Sequence, residues 1–337
     1  MDLPFDLDHE VVRLIKSKSI ELPTFPGVAL QLQRLITSGE YGISQLAKLA
    51  ESDQALATIV LRTANSAFYG GAAPITTLTP AITRVGAASL HNIAIAATLG
   101  VQLSMEGPLL AMRKDSWRRS LVSALLCQEL APGRRLDPGE AFLAGLLHDF
   151  GETIAYACFE IALELYPKTP PQPAASWLAA AQRYHVELGM ALAEEWKLPG
   201  YVAAVVARHH DADLSGADFP ALVDLVAVVD AVARRLGEEP RVEPALAAVA
   251  GLSGAERPML SSLLMRVPSF LESFEPARAQ AAKAAPSRTS SSVVTRYSAG
   301  AIWQAMKRRQ ISSYSLACSS LSAPRSESGV RNGSVGR

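Results

Sequence analysis

The sequence predicts an all-α protein, and three observations support this fold class. Alanine, leucine and valine recur at spacings of three and four along most of the chain, which is the period of amphipathic helices. No two alternating apolar segments are joined by a recognisable hairpin turn. The 337 residues are 49% hydrophobic and carry 32 basic and 32 acidic side chains, a composition typical of a globular protein with ample core.

Short helices with recognisable starts are predicted in the first third of the chain. Ser44 and Asp53 are the predicted N-caps of two successive helices, because their side chains can accept bonds from the backbone of the first turn. Thr79 followed by Pro80 predicts a third start, with proline at the first helical position. The turn-rich segment at 105–108 then separates these helices from a second helical region.

The second helical region contains one proline-rich segment, 167–176, which we interpret as a surface connection because proline interrupts helices. From about residue 285 the sequence becomes serine-rich, basic and weakly apolar, which predicts a disordered tail. The predicted division is an N-terminal extension, a first lobe, a second lobe and the tail, at 1–20, 21–105, 106–275 and 276–337.

The zero net charge conceals an asymmetry. Residues 285–337 carry eight basic side chains against one acidic side chain, a net charge of +7, so the preceding residues carry −7. An acidic body does not favour nucleic-acid binding, whose usual footprint is basic. Only the tail is suited to bind nucleic acid or acidic lipid, and a solvated tail without a ligand is the alternative.

The chain shows no feature of export or membrane insertion. Its first ten residues are acidic and lack an apolar core, so we expect no signal peptide. No apolar run reaches the length of a membrane span. Cys127, Cys158 and Cys318 are far apart and form no CxxC motif, which predicts reduced thiols in the cytoplasm.

Ionisable side chains lie on the apolar faces of four predicted helices in the second lobe. They are His148, Asp149, His185, His209, His210 and Asp230. Each one alone is better explained as a core residue bonded to the backbone. Together they predict a shared site, because buried carboxylates need partners, and imidazoles and carboxylates from separate helices commonly meet around a divalent metal ion. The arginines at 134–135 and 234–235 are interpreted as solvated helix ends.

Five segments, in order along about 21–275, resemble the HDOD domain, a signalling relative of the HD superfamily of metal-dependent phosphohydrolases. They are ELPTFPGVALQLQRLI, LAKLAESDQALATIVLRTANSAFYG, ITTLTPAITRVGAASLHNIAI, FLAGLLHDFGE and YHVELGMALAEEWKLPGYVAAVVARHHD. The second segment is the most specific: Asn65, Ser66 and Tyr69 match the family pattern, while Gln54 replaces its usual proline. The resemblance implies a multi-helix HD-domain-like bundle with an N-terminal helical lobe, and a bacterial source. We call 106–275 the HD-like lobe.

The resemblance also assigns roles to the clustered residues. His148 and Asp149 match the HD pair, His185, His209 and His210 match further metal ligands, and Asp230 matches the closing aspartate. Two positions depart from catalytic relatives, because Arg119 replaces a histidine ligand and Glu152 replaces a lysine that faces phosphate. A guanidinium cannot coordinate a cation, and a carboxylate disfavours a phosphate substrate. We hypothesise that Arg119 pairs with Asp149, Asp230 or Glu152 in place of the metal.

The function implied by the resemblance is regulatory. A degenerate site and a non-catalytic role are expected, with binding of a protein partner or a nucleotide messenger. The expected contact surfaces are the first lobe, including Asn65, Ser66 and Tyr69, and the groove between the lobes. The alternative is a metal-dependent phosphohydrolase that acts on a phosphodiester or nucleotide, with iron, manganese or zinc at the retained ligands. The sequence singles out no catalytic residue.

Overall fold

The computed structural model describes residues 27–71, 73–103, 106–238 and 242–274. These residues form fourteen α-helices and one short 3₁₀-helix, with no β-strand among them, so the all-α prediction is confirmed. The predicted extension at 1–20 and the predicted tail at 276–337 lie outside the described residues. None of the described helices combines the length and the apolar character that crossing a membrane requires.

Five helices form the first lobe. They are α1 (Gly27–Thr37), α2 (Ile43–Glu51), α3 (Gln54–Ala64), α4 (Leu78–Val85) and α5 (Ala87–Leu103). As predicted, Asp53 caps α3, and its carboxylate accepts two backbone N–H groups of the first turn at 2.9 and 3.0 Å. Two other predicted starts are each wrong by two residues, because the N-cap of α2 is Gly42 rather than Ser44 and that of α4 is Thr77 rather than Thr79.

Nine helices form the HD-like lobe. They are α6 (Leu110–Leu130), α7 (Pro138–Leu147), α8 (Phe150–Leu165), α9 (Ala174–Glu195), α10 (Gly200–Arg208), α11 (Pro220–Glu238), α12 (Val242–Ala247), α13 (Glu256–Leu264) and α14 (Val267–Phe274). Helix α6 packs against α7, α8 and α11, while α9 packs along α8. The proline-rich segment 167–176 lies between α8 and α9 as predicted, except that α9 already begins at Ala174.

One continuous apolar core runs through both lobes, from Ala29 to Phe270. Helix α5 of the first lobe packs against α6 and α7, and the last described helix, α14, packs back on α3. The boundary between the lobes at 105/106 stays a prediction, but this shared core means that neither lobe buries its apolar surface alone.

Helices α8 and α9 approach each other most closely at Gly151. A Cβ atom on Gly151 would overlap the backbone carbonyl oxygen of His185 and crowd the backbone nitrogen of Gly189. Only glycine permits this distance between the two helix backbones, and the close approach brings His185 beside the start of α8.

Candidate metal centre

The structure brings together all six side chains for which the resemblance implies a metal-ligand role. His148 and Asp149 occupy the turn between α7 and α8, where the sequence pattern predicted one continuous helical face. His185 lies within α9, His209 is the C-cap of α10 with His210 next to it, and Asp230 lies within α11. Asp149 occupies the N-cap position of α8 but makes no capping bond, so its carboxylate is available to the cluster.

One part of the cluster, which we call the first half, consists of Asp149 Oδ1 and three imidazoles. The donor atoms of Asp149, His185, His209 and His210 all lie within 4.8 Å of one another. Asp149 Oδ1 is 3.2 Å from Nε2 of His209 and 3.5 Å from Nε2 of His185. Nε2 of His185 is 2.9 Å from Nε2 of His210.

The backbone fixes the orientation of the buried imidazoles. The Nδ1 atoms of His148, His185 and His209 lie 2.9, 2.7 and 3.0 Å from carbonyl oxygens three or four residues earlier in the chain. Because a carbonyl oxygen only accepts, each Nδ1 carries a hydrogen and donates it. The Nε2 atom of each ring therefore faces the cluster, as second-shell carbonyl groups arrange it in metal sites.

The other part, the second half, consists of Asp149 Oδ2, His148 and Asp230. His148 Nε2 lies 3.6 Å from Asp149 Oδ2 and 3.6 Å from Asp230 Oδ1. Arg234 completes this half: its Nε donates to Asp230 Oδ2 at 2.8 Å, and its Nη2 lies 3.8 Å from Asp149 Oδ2. The second half therefore contains a cation that belongs to the chain itself.

The two halves shift histidine pKa values in opposite directions. Partial burial lowers the pKa of His210, whose side chain still reaches solvent, to about 4, with the neighbouring His209 and His185 adding to the effect. Burial also lowers the pKa of His185. Burial opposes the charged form of His148 as well, but Asp149 and Asp230 outweigh it and raise the pKa of His148 to about 9. His185 and His210 are therefore neutral at pH 7, the form that ligates metals.

The donor set fits a divalent metal ion. Among the described residues, Asp149 Oδ1, His148 Nε2 and His209 Nε2 are buried polar atoms without a hydrogen-bond partner, although buried polar atoms normally have one. Donors that share a zinc ion at about 2.0–2.1 Å lie about 3.3 Å apart in a tetrahedral site, which is close to the separations in the first half. These residues are thus compatible with a metal centre.

The two positions that depart from catalytic relatives pair with each other. Arg119 Nη2 lies 2.6 Å from Glu152 Oε1, so Glu152 is the partner among the three carboxylates considered from sequence. Arg119 also binds Asp115 at 2.5 Å, and Tyr156 donates its hydroxyl to Glu152 at 2.8 Å. Tyr156 was missed by sequence reasoning, although its spacing of four from Glu152 on one helix is a signal for such a bond.

A cavity of about 480 Å³ opens beside the cluster, and Asp149 lies in its wall. Helix α6 contributes Arg118 and Arg119 to the lining, and α11 contributes Arg234. Val267 and its neighbours in α13 and α14 form a further part of the wall. The volume lies in the range of small-molecule sites.

The interpretation of two arginines as solvated helix ends is wrong. Arg234 binds Asp230 within the second half, and Arg134 binds Glu256 and Asp224 at 2.9 Å each, with a side chain that is 16% exposed. The spacing of four between Asp230 and Arg234 on one helix could have predicted the first of these pairs.

The motif residues of the first lobe act mainly within the fold. Asn65 donates to the carbonyl oxygens of Leu61 and Ile75 and accepts the Ile75 amide, at 2.9, 2.7 and 2.7 Å. Ser66 is buried and Tyr69 is half-buried, so the expectation that all three form an exposed contact surface is wrong for Ser66. Asn65 instead fixes the loop that leads from α3 towards α4.

The chain resembles several known proteins along most of its length. An uncharacterized protein of Treponema pallidum (strain Nichols) is 28% identical over 227 residues, which are 65% of this chain and 44% of that protein, so the chain spans less than half of this relative. A solved structure from Shewanella amazonensis, described as a candidate metal-dependent phosphohydrolase, matches with a TM-score of 0.60 and 22% identity, covering 80% of this chain and all of that one.

Two further solved structures have the same fold. An HDOD domain protein of unknown function from Geobacter sulfurreducens has a TM-score of 0.56 and 23% identity, covering 80% of this chain and 98% of the other. A candidate signal transduction protein from Marinobacter aquaeolei has a TM-score of 0.52 and 22% identity, covering 81% of this chain and 66% of the other. At these identities the similarity establishes the fold alone. The sequence model of the HDOD domain family matches residues 22–212, more than half of the sequence, and the chain therefore belongs to the HDOD domain family.

Proposed function

We propose that this chain is a regulatory signalling protein whose HD-like lobe binds one divalent metal ion, preferably zinc, and hydrolyses no phosphodiester. The observation that carries the proposal is the set of four protein donors in the first half: Asp149, His185, His209 and His210. Structural zinc sites have four protein ligands, whereas catalytic zinc sites have three and keep one position for water.

A metal held by these four residues would have a structural and regulatory effect. The donors come from the start of α8, from α9 and from the end of α10. The positive charge of a bound ion neutralises Asp149. Its coordination bonds also hold these three helices together. The chain itself contributes imidazoles, and backbone carbonyl groups fix the orientation of His185 and His209 before any ion binds.

The surroundings of the site argue against phosphate chemistry. Glu152 is 3% exposed and lines the same cavity as Asp149, so two carboxylates face the space that a phosphate would occupy. Arg119 cannot ligate a metal, and its guanidinium is already bonded to Glu152 and Asp115. Both features support a regulatory role over a catalytic one.

Helix α14 offers a route by which the state of the site reaches the first lobe. Val267 of α14 lines the cavity, while Ser269 Oγ accepts the backbone amide of Ala67 at 2.8 Å. The ring of Phe270 lies 5.2 Å from the ring of Phe68, within the most specific family segment. One short helix thus contacts both the cavity and the loop that Asn65 fixes, and we infer that it relays the state of the metal site.

A phosphohydrolase is the second candidate function. The cavity beside Asp149 favours it, because Arg118, Arg119 and Arg234 line that cavity and guanidinium groups bind phosphate well. The description of the Shewanella neighbour points the same way. Manganese or iron, which accept more ligands than zinc, would leave coordination positions for a substrate. The same cavity makes a nucleotide messenger a candidate ligand of the regulatory protein, beside a protein partner on the first lobe.

Metal content and turnover distinguish the two functions. The full chain is purified without chelators, its metals are measured by elemental analysis, and it is assayed with Zn²⁺, Mn²⁺ and Fe²⁺ against a cyclic dinucleotide and a generic phosphodiester. We expect about one zinc ion per chain and no turnover. The double variant His148→Ala/Asp149→Ala should lose the ion, whereas Asp224→Ala, which changes a surface carboxylate, should keep it.

Two outcomes would contradict the proposal. Metal-dependent turnover that the double variant abolishes would establish the phosphohydrolase instead. A wild-type chain that retains no ion after reconstitution would remove the metal from the proposal. Hydrogen exchange with and without zinc tests the relay: zinc should increase protection at 65–77 as well as around the site, and protection limited to α7–α11 would disprove the relay.

A further inference from the structure

We propose that the guanidinium group of Arg234 occupies the place of a second metal ion and limits the chain to one ion. The inference rests on the proposed function, because it presupposes that the first half holds a metal. It concerns the second half, which contains the ligand types for another ion: His148, Asp149 Oδ2 and Asp230.

The position of Arg234 relative to the two aspartates is the first argument. Its Nε binds Asp230 Oδ2 at 2.8 Å, and its Nη2 lies 3.8 Å from Asp149 Oδ2. A single guanidinium therefore lies against both carboxylates of the second half. Asp149 Oδ1, in contrast, is directed to the imidazoles of the first half, so the oxygen that the guanidinium approaches is not the one that faces that half.

Charge is the second argument. A guanidinium group stays protonated at every physiological pH and has no lone pair to offer, so it repels a cation and cannot ligate one. Two like charges about 4 Å apart repel each other, which disfavours a second ion beside Arg234. The side chain of Arg234 is 39% exposed and lines the cavity, so it fills this position from the solvent side.

Arg119 does not perform this role, although the sequence suggested it. Its guanidinium is bonded to Glu152 and Asp115. The charge that replaces a metal thus comes from α11, four residues after Asp230, and not from α6.

Metal stoichiometry of reconstituted variants tests the inference. Full-length wild type, Arg234→Ala and Arg234→Lys are loaded with zinc or manganese, desalted and measured by elemental analysis. We expect about one ion per chain in the wild type and in Arg234→Lys, which keeps the charge, and about two in Arg234→Ala. The double variant Arg234→Ala/Asp230→Ala should return to about one, which locates the additional ion at Asp230. Arg235→Ala, which removes the neighbouring exposed arginine, is the matched control and should stay at about one.

Each outcome has a distinct meaning. Two ions in the wild type, or one ion in a folded Arg234→Ala variant, would overturn the inference but leave metal binding by the first half in place. No ion in the wild type would remove both. Circular dichroism and thermal melting establish that each variant is folded, and Arg234→Leu, which retains more of the side-chain packing, replaces Arg234→Ala if the latter does not fold.

Discussion

The two halves of the donor cluster share Asp149 but differ in the charge that balances it. In the first half, Asp149 Oδ1 faces imidazoles, and burial lowers the pKa values of His185 and His210, so these two rings are neutral at pH 7. In the second half, Arg234 binds Asp230, and the carboxylates of Asp149 and Asp230 favour the protonated form of His148. A complete set of ligand residues is therefore not equivalent to a metal site, because cations of the chain can already neutralise it.

The largest effect is expected from Asp149→Ala, because this substitution removes the carboxylate that both halves share. Removal of a residue that hydrogen-bonds to a metal ligand typically weakens metal binding by about 10–100-fold. Removal of the ligand itself should therefore lower the zinc affinity by at least about 100-fold. Competition titration with a chromophoric chelator measures this. Asp230→Ala is the control in the second half and should leave the affinity within about tenfold. Equal losses in the two variants would show that the halves do not act separately.

Gly151→Ala is expected to disturb the first half through the backbone. The added Cβ would force α8, which begins next to Asp149, away from His185 on α9. Overpacking of this kind costs about 1–3 kcal/mol in the free energy of unfolding, and displacement of His185 should weaken zinc binding as well. Urea denaturation measures the free energy of unfolding, and the chelator competition titration measures the zinc affinity. Gly254→Ala is the control, since a Cβ there meets no atom within 4 Å.

Sequence reasoning could predict which side chains face inward, because helical periodicity determines the face on which a residue lies. His185 and Asp230 are buried for this reason, at 5% and 7% exposure. The period could not predict the helix break at His148 and Asp149, because a C-cap and the following N-cap continue the same apolar pattern. That break releases the Asp149 carboxylate into the cluster.

The pairing of charges was the least predictable part of the site. Position 119 was recognised as a departure from the family, but the choice among three carboxylate partners depends on how α6 and α8 pack. Arg234 follows Asp230 by one helical turn, a spacing that many exposed pairs share. Only the tertiary structure shows that Asp149 lies close enough to join this pair, with 3.8 Å between Asp149 Oδ2 and Arg234 Nη2.

Arg119→Ala changes a cation that contacts neither half. Glu152 would keep only the bond from Tyr156, and loss of a partly buried ion pair should lower the free energy of unfolding by about 1–3 kcal/mol. The metal content should stay at about one ion per chain. Thermal melting and elemental analysis measure the two quantities, with Arg118→Ala, an exposed neighbour, as the control. A second ion in Arg119→Ala would assign to Arg119 the role that we propose for Arg234.

The two halves should respond to pH in opposite senses when a chelator keeps the chain free of metal. The folded-state pKa of His148, about 9, exceeds the unfolded value of about 6.5, so its contribution to stability is complete below pH 6.5 and is lost as the pH rises through 9. The pKa of His210 is lowered to about 4, so its contribution is present above pH 6.5 and declines as the pH falls towards 4. Solvent screening makes the second effect the weaker one, because His210 is exposed.

Urea denaturation from pH 4 to pH 10 should therefore give a maximum of stability near neutral pH. The alkaline limb of the curve of stability against pH reflects His148 of the second half, and the acidic limb reflects His210 of the first half. His148→Gln should flatten the alkaline limb and leave the acidic limb in place, because glutamine cannot carry the proton that Asp149 and Asp230 stabilise. His210→Gln should flatten only the acidic limb. If either substitution changed both limbs equally, the protons on the two histidines would be coupled through Asp149, and the cluster would behave as one electrostatic unit instead of two.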